Sequence, residues 1–404
     1  MALDLARLRA ETPACEAVAH LNNAGASLLP RPVVEAVIAH VRLESELGGY
    51  EAAVLAADRL QDARSALGRL LGADPLDVAL TQSDTAAWTK AFWGLALGGW
   101  FDGGGRLLVD RAAYNSHYLS LLQAAGRFGV TIEVVASTAD GSLDLDDLDR
   151  RLGGDVRLVT ATHVGTHRGL VNPVAAVGER TRHGAVPFFL DACQSAGQLP
   201  VDVGVIGCDV ATGTGRKFLR GPRGTGWLYV RPEWSERMSP PGLDGSSASW
   251  LDESRFGLLP RAARFEEFEA SVAARIGLGV AVEYALELGI AAIAERIALL
   301  AEGLRDGLRS VGASVHDGGG QRCGIVTFTL PAVAPEAVKA SLAAAGIHVW
   351  TSEALSARLD MEQRGLPAVV RASPHAFNSE DETRRLVEHV RLLVEHPPPS
   401  GGGR

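Results

Sequence analysis

Seven short, nearly all-apolar runs punctuate the first 230 residues, at 78–81, 106–110, 131–135, 156–161, 186–191, 210–212 and 226–230. Stretches with helical apolar spacing separate most of them, at 85–97, 116–128, 145–152 and 174–183. Strands without polar alternation must be covered on both faces, and helices between them supply the cover. The pattern predicts an α/β fold with a mostly parallel seven-stranded sheet. In such sheets ligands gather outside the carboxyl ends of the strands, so polar residues at those ends are the first candidates for a site.

From about residue 260 the pattern changes. Helical spacing over 266–289 and 291–311 leads to strand candidates at 324–330 and 369–373, with helices at 335–345 and 379–395. The expected organisation is a leader over 1–20, a large domain over 21–260 and a smaller α+β domain over 261–395. The Pro- and Gly-rich tail over 396–404 has no means of building a core.

Several classes are disfavoured by composition. The chain of 404 residues carries a net charge of −9, with its basic residues scattered, which gives no general attraction to nucleic acid or anionic membrane. The first ten residues alternate leucine with charge and lack the apolar core of a signal peptide. The greasiest stretch, 276–300, is broken by Glu283, Glu287, Glu295 and Arg296, against a membrane span. Cys15, Cys193, Cys208 and Cys323 are far apart with no CxxC pair. They fit a reducing cytoplasm and favour neither a disulfide framework nor a metal site.

Of 39 basic residues only Lys90, Lys217 and Lys339 are lysines. Arginine can fill any role that needs only a positive charge, but it cannot lose its proton and condense with an aldehyde. Lys90 and Lys339 fall in helical stretches, whereas Lys217 follows a strand in the glycine-rich run Thr212-Gly213-Thr214-Gly215-Arg216-Lys217. No Walker A spacing is present there, because Phe218 follows the lysine. A lysine in that setting suits pyridoxal 5′-phosphate (PLP) chemistry. That chemistry also needs an anion beside the pyridine nitrogen, a phosphate cradle, a flat group over the ring and a cation for a substrate carboxylate.

A candidate exists for each. Asp191 ends an apolar strand and could protonate-lock a pyridine nitrogen, or could only cap the next segment. Gln194 could bond the cofactor's phenolic oxygen, while Cys193 reads as a small buried residue. Thr214 and Arg216 can reach a phosphate, as can Ser83, Asp84 and Thr85 at a strand-to-helix turn, where an ordinary helix cap competes. Tyr114 could stack on the ring or simply be a buried aromatic. Arg371, inside an apolar run, calls for either a substrate carboxylate or an internal ion pair.

These stretches resemble the class V aminotransferase family of fold-type I PLP-dependent enzymes, which includes cysteine desulfurases. The resemblance runs from about 21 to 393 and is most specific at LDACQSAGQLPVDV (190–203), GCDVATGTGRKFLRGPRGTGWLYV (207–230) and VVRASPHAFNSEDE (369–382). It implies Lys217 as the Schiff-base lysine, Asp191 as the pyridine partner and Gln194 with Thr166 near the phenolic oxygen. It further implies Ser83, Asp84, Thr85, Thr214 and Arg216 at the phosphate, Tyr114 on the ring and Arg371 on the substrate carboxylate. Asn23 and Ala24, in the 22–27 turn, are candidate substrate contacts, as are His167, Arg168 and the 351–360 segment. A homodimer is implied too, with the GPRGTG loop or Glu269 reaching the neighbouring subunit's cofactor.

The departures matter as much. Arg216 stands where desulfurases carry a histidine before the lysine, Tyr114 where they carry the ring-stacking histidine, and 351–355 where they carry the persulfide-forming cysteine. Within the family, HVRLESELGGYEAA (40–53), EASVAARIG (269–277) and RASPHAFN (371–378) are similar to the hercynylcysteine sulfoxide lyases of the ergothioneine pathway. That likeness implies Cβ–S cleavage by β-elimination on a cysteine-derived S-conjugate or sulfoxide. Transamination or epimerisation with the same cofactor is the alternative, and a catalytically idle protein on this fold is a third reading.

Overall fold

A computed structural model describes residues 3–182 and 186–397, so most of the predicted tail lies outside the described residues. The large sheet contains strands β1 (Val78–Thr81), β2 (Gly105–Val109), β3 (Val130–Val134), β4 (Val156–Thr162), β5 (Phe188–Asp191), β6 (Val210–Thr214) and β7 (Gly226–Val230). Their order is β1-β7-β6-β5-β4-β2-β3. The ladders are parallel except the two made by β7, which runs against both neighbours. The expected α/β fold with a mostly parallel seven-stranded sheet is thus the observed one.

The strands read as continuous apolar runs because each face has its own core. On β5, Phe188 and Leu190 point into one cluster while Phe189 points into the other. Period-two alternation therefore puts Asp191 on the Phe189 side. The residue closing β5 is a carboxylate where a greasy side chain would continue the pattern, and it is buried all the same.

A second sheet, β8 (Ser314–Val315), β9 (Val326–Thr329), β10 (Trp350–Glu353) and β11 (Ala368–Ala372), is wholly antiparallel in the order β8-β9-β11-β10. Packing draws the units differently from the linear reading. The helix Val272–Leu288, assigned by sequence to the smaller domain, contributes Leu278 and Val282 to the large sheet's core. A Cβ on its Gly279 would come within 2.7 Å of Ala63 Cβ, so this helix crosses its neighbour closely. Gly289, with φ +84°, separates this helix from Ile290–Ser310 at a bend of 80°. The leader is likewise built in: Ala19–His20 pair with Ile347–His348, and Ala19 and Leu21 enter the small unit's core. Among the described residues no single helix is long and apolar enough to cross a membrane.

Candidate active site

The carboxyl ends of β1, β4, β5 and β6 lie on one edge of the large sheet, and β7 begins there. Thr81 and Thr214 both pair with Gly226, so the turns after β1 and β6 converge on the first residue of β7. A side chain at Gly226 would strike the Ser83 backbone at 2.4 Å, which explains the glycine. A cavity of about 650 Å³ opens over this edge.

Lys217 faces that cavity and is itself buried. Its ammonium donates to Cys193 Sγ at 3.2 Å, and among the described residues it has no carboxylate within ion-pair distance. The other lysines are engaged: Lys90 pairs with Glu267 at 2.7 Å, and Lys339, on the cavity rim, pairs with Glu336 at 3.0 Å. Cys193 is the buried small residue expected, its thiol pushed far up by burial.

Asp191 accepts the Cys193 amide on Oδ1 at 2.9 Å, so it does cap the segment that follows. Its other oxygen lies 3.5 Å from His117 Nδ1. Burial pushes the Asp191 carboxyl up to about 6, and the nearby charge of Asp84 adds to the effect. Gln194 donates to the Ala24 carbonyl at 3.1 Å and to Thr166 Oγ1 at 3.2 Å, leaving its own buried Oε1 without a protein partner. Thr166 in turn accepts from Arg371 on its carbonyl, at 2.9 Å, and its hydroxyl, at 2.7 Å.

Arg371 is buried one residue before the end of β11, paired in register with Thr327 and Trp350. No carboxylate neutralises it among the described residues, so the ion-pair alternative has no partner. Its Nε is buried and unbonded, and burial with repulsion from Arg216 lowers its pKa to about 10. Arg371 lines the cavity with its charge uncancelled and its Nε without a partner.

At the phosphate candidates, Ser83 caps helix Asp84–Leu97 by accepting the Ala86 amide at 3.1 Å. The amides of Asp84 and Thr85, at the first turn, have no intrahelical acceptor. Thr85 Oγ1 reaches Ser116 at 3.2 Å and Thr214 Oγ1 donates to the Thr225 carbonyl at 3.0 Å. Arg216 lines the cavity with its guanidinium on the Gly25 carbonyl. Tyr114, at the N-cap of helix Asn115–Phe128, also lines the cavity.

Several placements differ from expectation. His167 and Arg168 are taken up by Asp360, at 2.9 and 3.1 Å, away from the cavity. The Asp84 carboxylate turns into the protein and bonds His117 Nε2 at 3.0 Å, so only its backbone amide could serve an anion. Asn23 is fully buried, with its amide committed to the Ser373 carbonyl at 2.7 Å and to Ser27 at 2.6 Å. Its neighbour Asn22 lines the cavity instead and offers Oδ1 to Arg371 at 3.4 Å. Ala24, the other candidate of this turn, lines the cavity as well. His117 was missed altogether; its only sequence signal is its position three residues beyond Tyr114, at the start of the helix that follows β2.

A family model described as "Aminotransferase class-V" matches residues 19–386. The chain belongs to the class-V aminotransferase family. This class-V protein is 33% identical over 375 residues, covering 91% of the chain and 88% of the relative, to a protein of Mycobacterium tuberculosis (strain CDC 1551 / Oshkosh) named a probable hercynylcysteine sulfoxide lyase. Its fold superposes on the apo cysteine desulfurase of Thermococcus onnurineus NA1 with a TM-score of 0.90, at 25% identity, covering 98% of this chain and 99% of that one. It also superposes on a lysine-to-alanine mutant of C-DES with glycine covalently linked to its PLP cofactor, at TM-score 0.84 and 23% identity over 95% and 98% of the two chains.

Proposed function

We propose that this class-V protein is a PLP-dependent C–S lyase acting on a cysteine-derived S-conjugate or sulfoxide. The cofactor is pyridoxal 5′-phosphate, and the residues fit it. Lys217 offers an amine with no counter-carboxylate among the described residues, Asp191 a buried carboxylate at a strand end, and Gln194 a buried oxygen with a vacant acceptor site. The unpaired amides at Asp84 and Thr85, with Ser83, Thr214 and Arg216, suit the phosphate, and Tyr114 supplies the flat group.

When bound, PLP supplies a sink for the electron pair left by a broken Cα–H bond. The chain's own groups do the rest. Asp191 would hold a proton on the ring nitrogen, Arg371 would orient the substrate carboxylate, and the Lys217 amine would take the proton from Cα. Breaking Cβ–S would release the sulfur fragment, which leaves with the bonding electron pair and a proton, and hydrolysis of the remaining enamine by one water would give pyruvate and ammonia.

The observation that favours elimination over sulfur transfer is where the thiols are. All four cysteines are buried, and the outer wall of the cavity, where desulfurases carry theirs, is Trp350-Thr351-Ser352-Glu353. The cavity also runs outward to Lys339 and Trp350, which lie 4.4 Å apart as a cation–π pair, leaving room for a substituent on sulfur. Incubation of the holoenzyme with S-substituted cysteine sulfoxides should yield pyruvate and ammonia in equal amounts. Pyridoxamine phosphate formed without pyruvate would instead make the protein a transaminase.

The working unit in this proposal is a homodimer in the reducing cytoplasm. Tyr50, Val54, Leu55 and Phe268 form an exposed apolar group, with the Tyr50 and Phe268 rings 6.1 Å apart. The hairpin Ala248–Asp252/Arg255–Leu258 exposes Trp250, Leu251 and Phe256. Patches of this kind mark interfaces.

A further inference from the structure

The chemistry above uses Asp191 but leaves Asp84, His117 and Trp88 unexplained. Asp84, His117 and Asp191 come from a helix start, a second helix start and a strand end, and all three are buried. His117 Nε2 bonds Asp84 Oδ2 at 3.0 Å, and His117 Nδ1 lies 3.5 Å from Asp191 Oδ2. Trp88 covers the imidazole face at 4.0 Å with the planes 13° apart, and Trp88 itself stands edge-on to Phe189 of β5 at 5.7 Å.

A structural core histidine is ordinarily neutral, with one nitrogen donating and the other accepting. His117 faces an oxygen of Asp84 at Nε2 and one of Asp191 at Nδ1, and the ring that suits two ionised carboxylates is the imidazolium, which has a donor on each nitrogen. Burial disfavours that charge, but Asp84 and Asp191 outweigh it and hold the ring above its ordinary range. Despite its own burial, Asp84 is held below the usual carboxylate range by His117. The charged groups around the ring are Asp84, Asp191 and Lys217, with the Cys193 thiol and the Tyr114 ring edge beyond them. Counted with Lys217 as a cation, the cluster is neutral, with two anions against two cations.

We infer that His117 is a positioning residue that keeps Asp191 ionised and aimed at the cofactor's ring nitrogen, with Asp84 fixing the imidazolium from behind and Trp88 fixing its plane. The inference rests on the PLP reading of the site. Asp191 is the end of this chain that meets the cofactor; Asp84 and His117 act only through it. Without the imidazolium, a carboxyl already raised by burial would face Asp84 alone and take up a proton itself, and the ring nitrogen would lose its anionic partner.

The test is the protonation of the ring nitrogen in holoenzyme loaded with ¹⁵N-labelled PLP, followed by ¹⁵N NMR across pH 6 to 9 in the wild type, His117→Gln and Asp84→Asn. Glutamine can still donate to Asp191 but carries no charge, and Asp84→Asn keeps the ring while removing its rear anion. The wild-type nitrogen should stay protonated throughout. In His117→Gln its pKa should fall by about one unit or more, with PLP binding weakened about tenfold; Asp84→Asn should shift it the same way by less. Thermal melting of the apo-proteins separates these shifts from loss of fold, and if the His117 variant does not fold, the Asp84 variant decides. A nitrogen that stays protonated in folded variants would overturn the inference and leave His117 a packing residue. A wild type that takes up no PLP would instead remove the reading of the site on which the inference stands.

Discussion

Arg371 carries its charge inside a β-strand, against the general rule that an unpaired cation is excluded from a protein interior. What makes this tolerable is the Thr166 hydroxyl and carbonyl and the Asn22 amide oxygen, which together meet two of its nitrogens. Neutral acceptors orient the guanidinium without cancelling it, so its charge remains available to a substrate carboxylate. Lysine at this position keeps the charge but loses the planar fork. Arg371→Lys should therefore lower kcat/KM about ten- to a hundredfold, as expected when a charge-assisted bond of about 1.5–3 kcal/mol is lost. Most of the loss should come through KM in steady-state assays. An unchanged KM would remove Arg371 from the carboxylate site.

At the scale of elements, the connection from β11 to helix Glu380–Glu395 is tied to the turn carrying Lys217. The His375 ring lies between Phe218 and Phe377, with centroids 5.9 and 5.3 Å away. Its Nε2 donates to the Phe218 carbonyl at 2.9 Å and its Nδ1 accepts the Ala376 amide at 2.8 Å. The neutral ring is fully engaged, and a proton on Nδ1 would confront an N–H. Burial, with repulsion from Arg220, pushes its pKa down to about 3. In the unfolded chain the same group titrates near pH 6.5, so its stabilisation is complete above about 6.5 and is lost as pH falls towards 3, by at most about 1.4 kcal/mol per unit. His375→Phe keeps the stacking but cannot titrate. At pH 7 it should be less stable by about 1–3 kcal/mol, from the two lost bonds, and the gap should close on acidification to pH 5. Urea midpoints at both pH values measure this; a constant gap would show that His375 is not held neutral.

The same scale shows what could be read in advance. All seven strands of the large sheet were legible because burial on both faces leaves no polar alternation to confuse the pattern. β10 was not, because Trp350-Thr351-Ser352-Glu353 mixes an exposed tryptophan with hydroxyls and acid along a cavity wall. Asp191 and Arg371 stood out since each is a charged residue in an apolar run, and Lys217 because it is one of three lysines and the one set in a glycine-rich turn after a strand. His117 did not, because what makes it unusual is a pair of carboxylates brought in from Asp84 and Asp191, and no local pattern carries that. The packing of helix Val272–Leu288 on the large sheet was not legible for a related reason. Its partner, the helix Ala57–Leu71, is some two hundred residues earlier in the chain, and no local pattern links Leu278, Gly279 and Val282 to it.

For the molecule as a whole, the edge of the large sheet carries the Lys217 amine and the Asp191 carboxylate, the smaller sheet brings Arg371 to the cavity that Lys217 faces, and a second copy of the chain is expected to complete the surroundings. Light scattering should give about twice the 42.5 kDa chain mass, and a monomer at micromolar concentration would contradict the dimer. The central claim is narrower and rests on Lys217. Borohydride reduction of the yellow holoenzyme followed by peptide mass spectrometry should place a reduced pyridoxyl phosphate group on Lys217, with Lys90 and Lys339 unmodified. A colourless preparation in excess PLP, or an adduct on either of the other lysines, would contradict it.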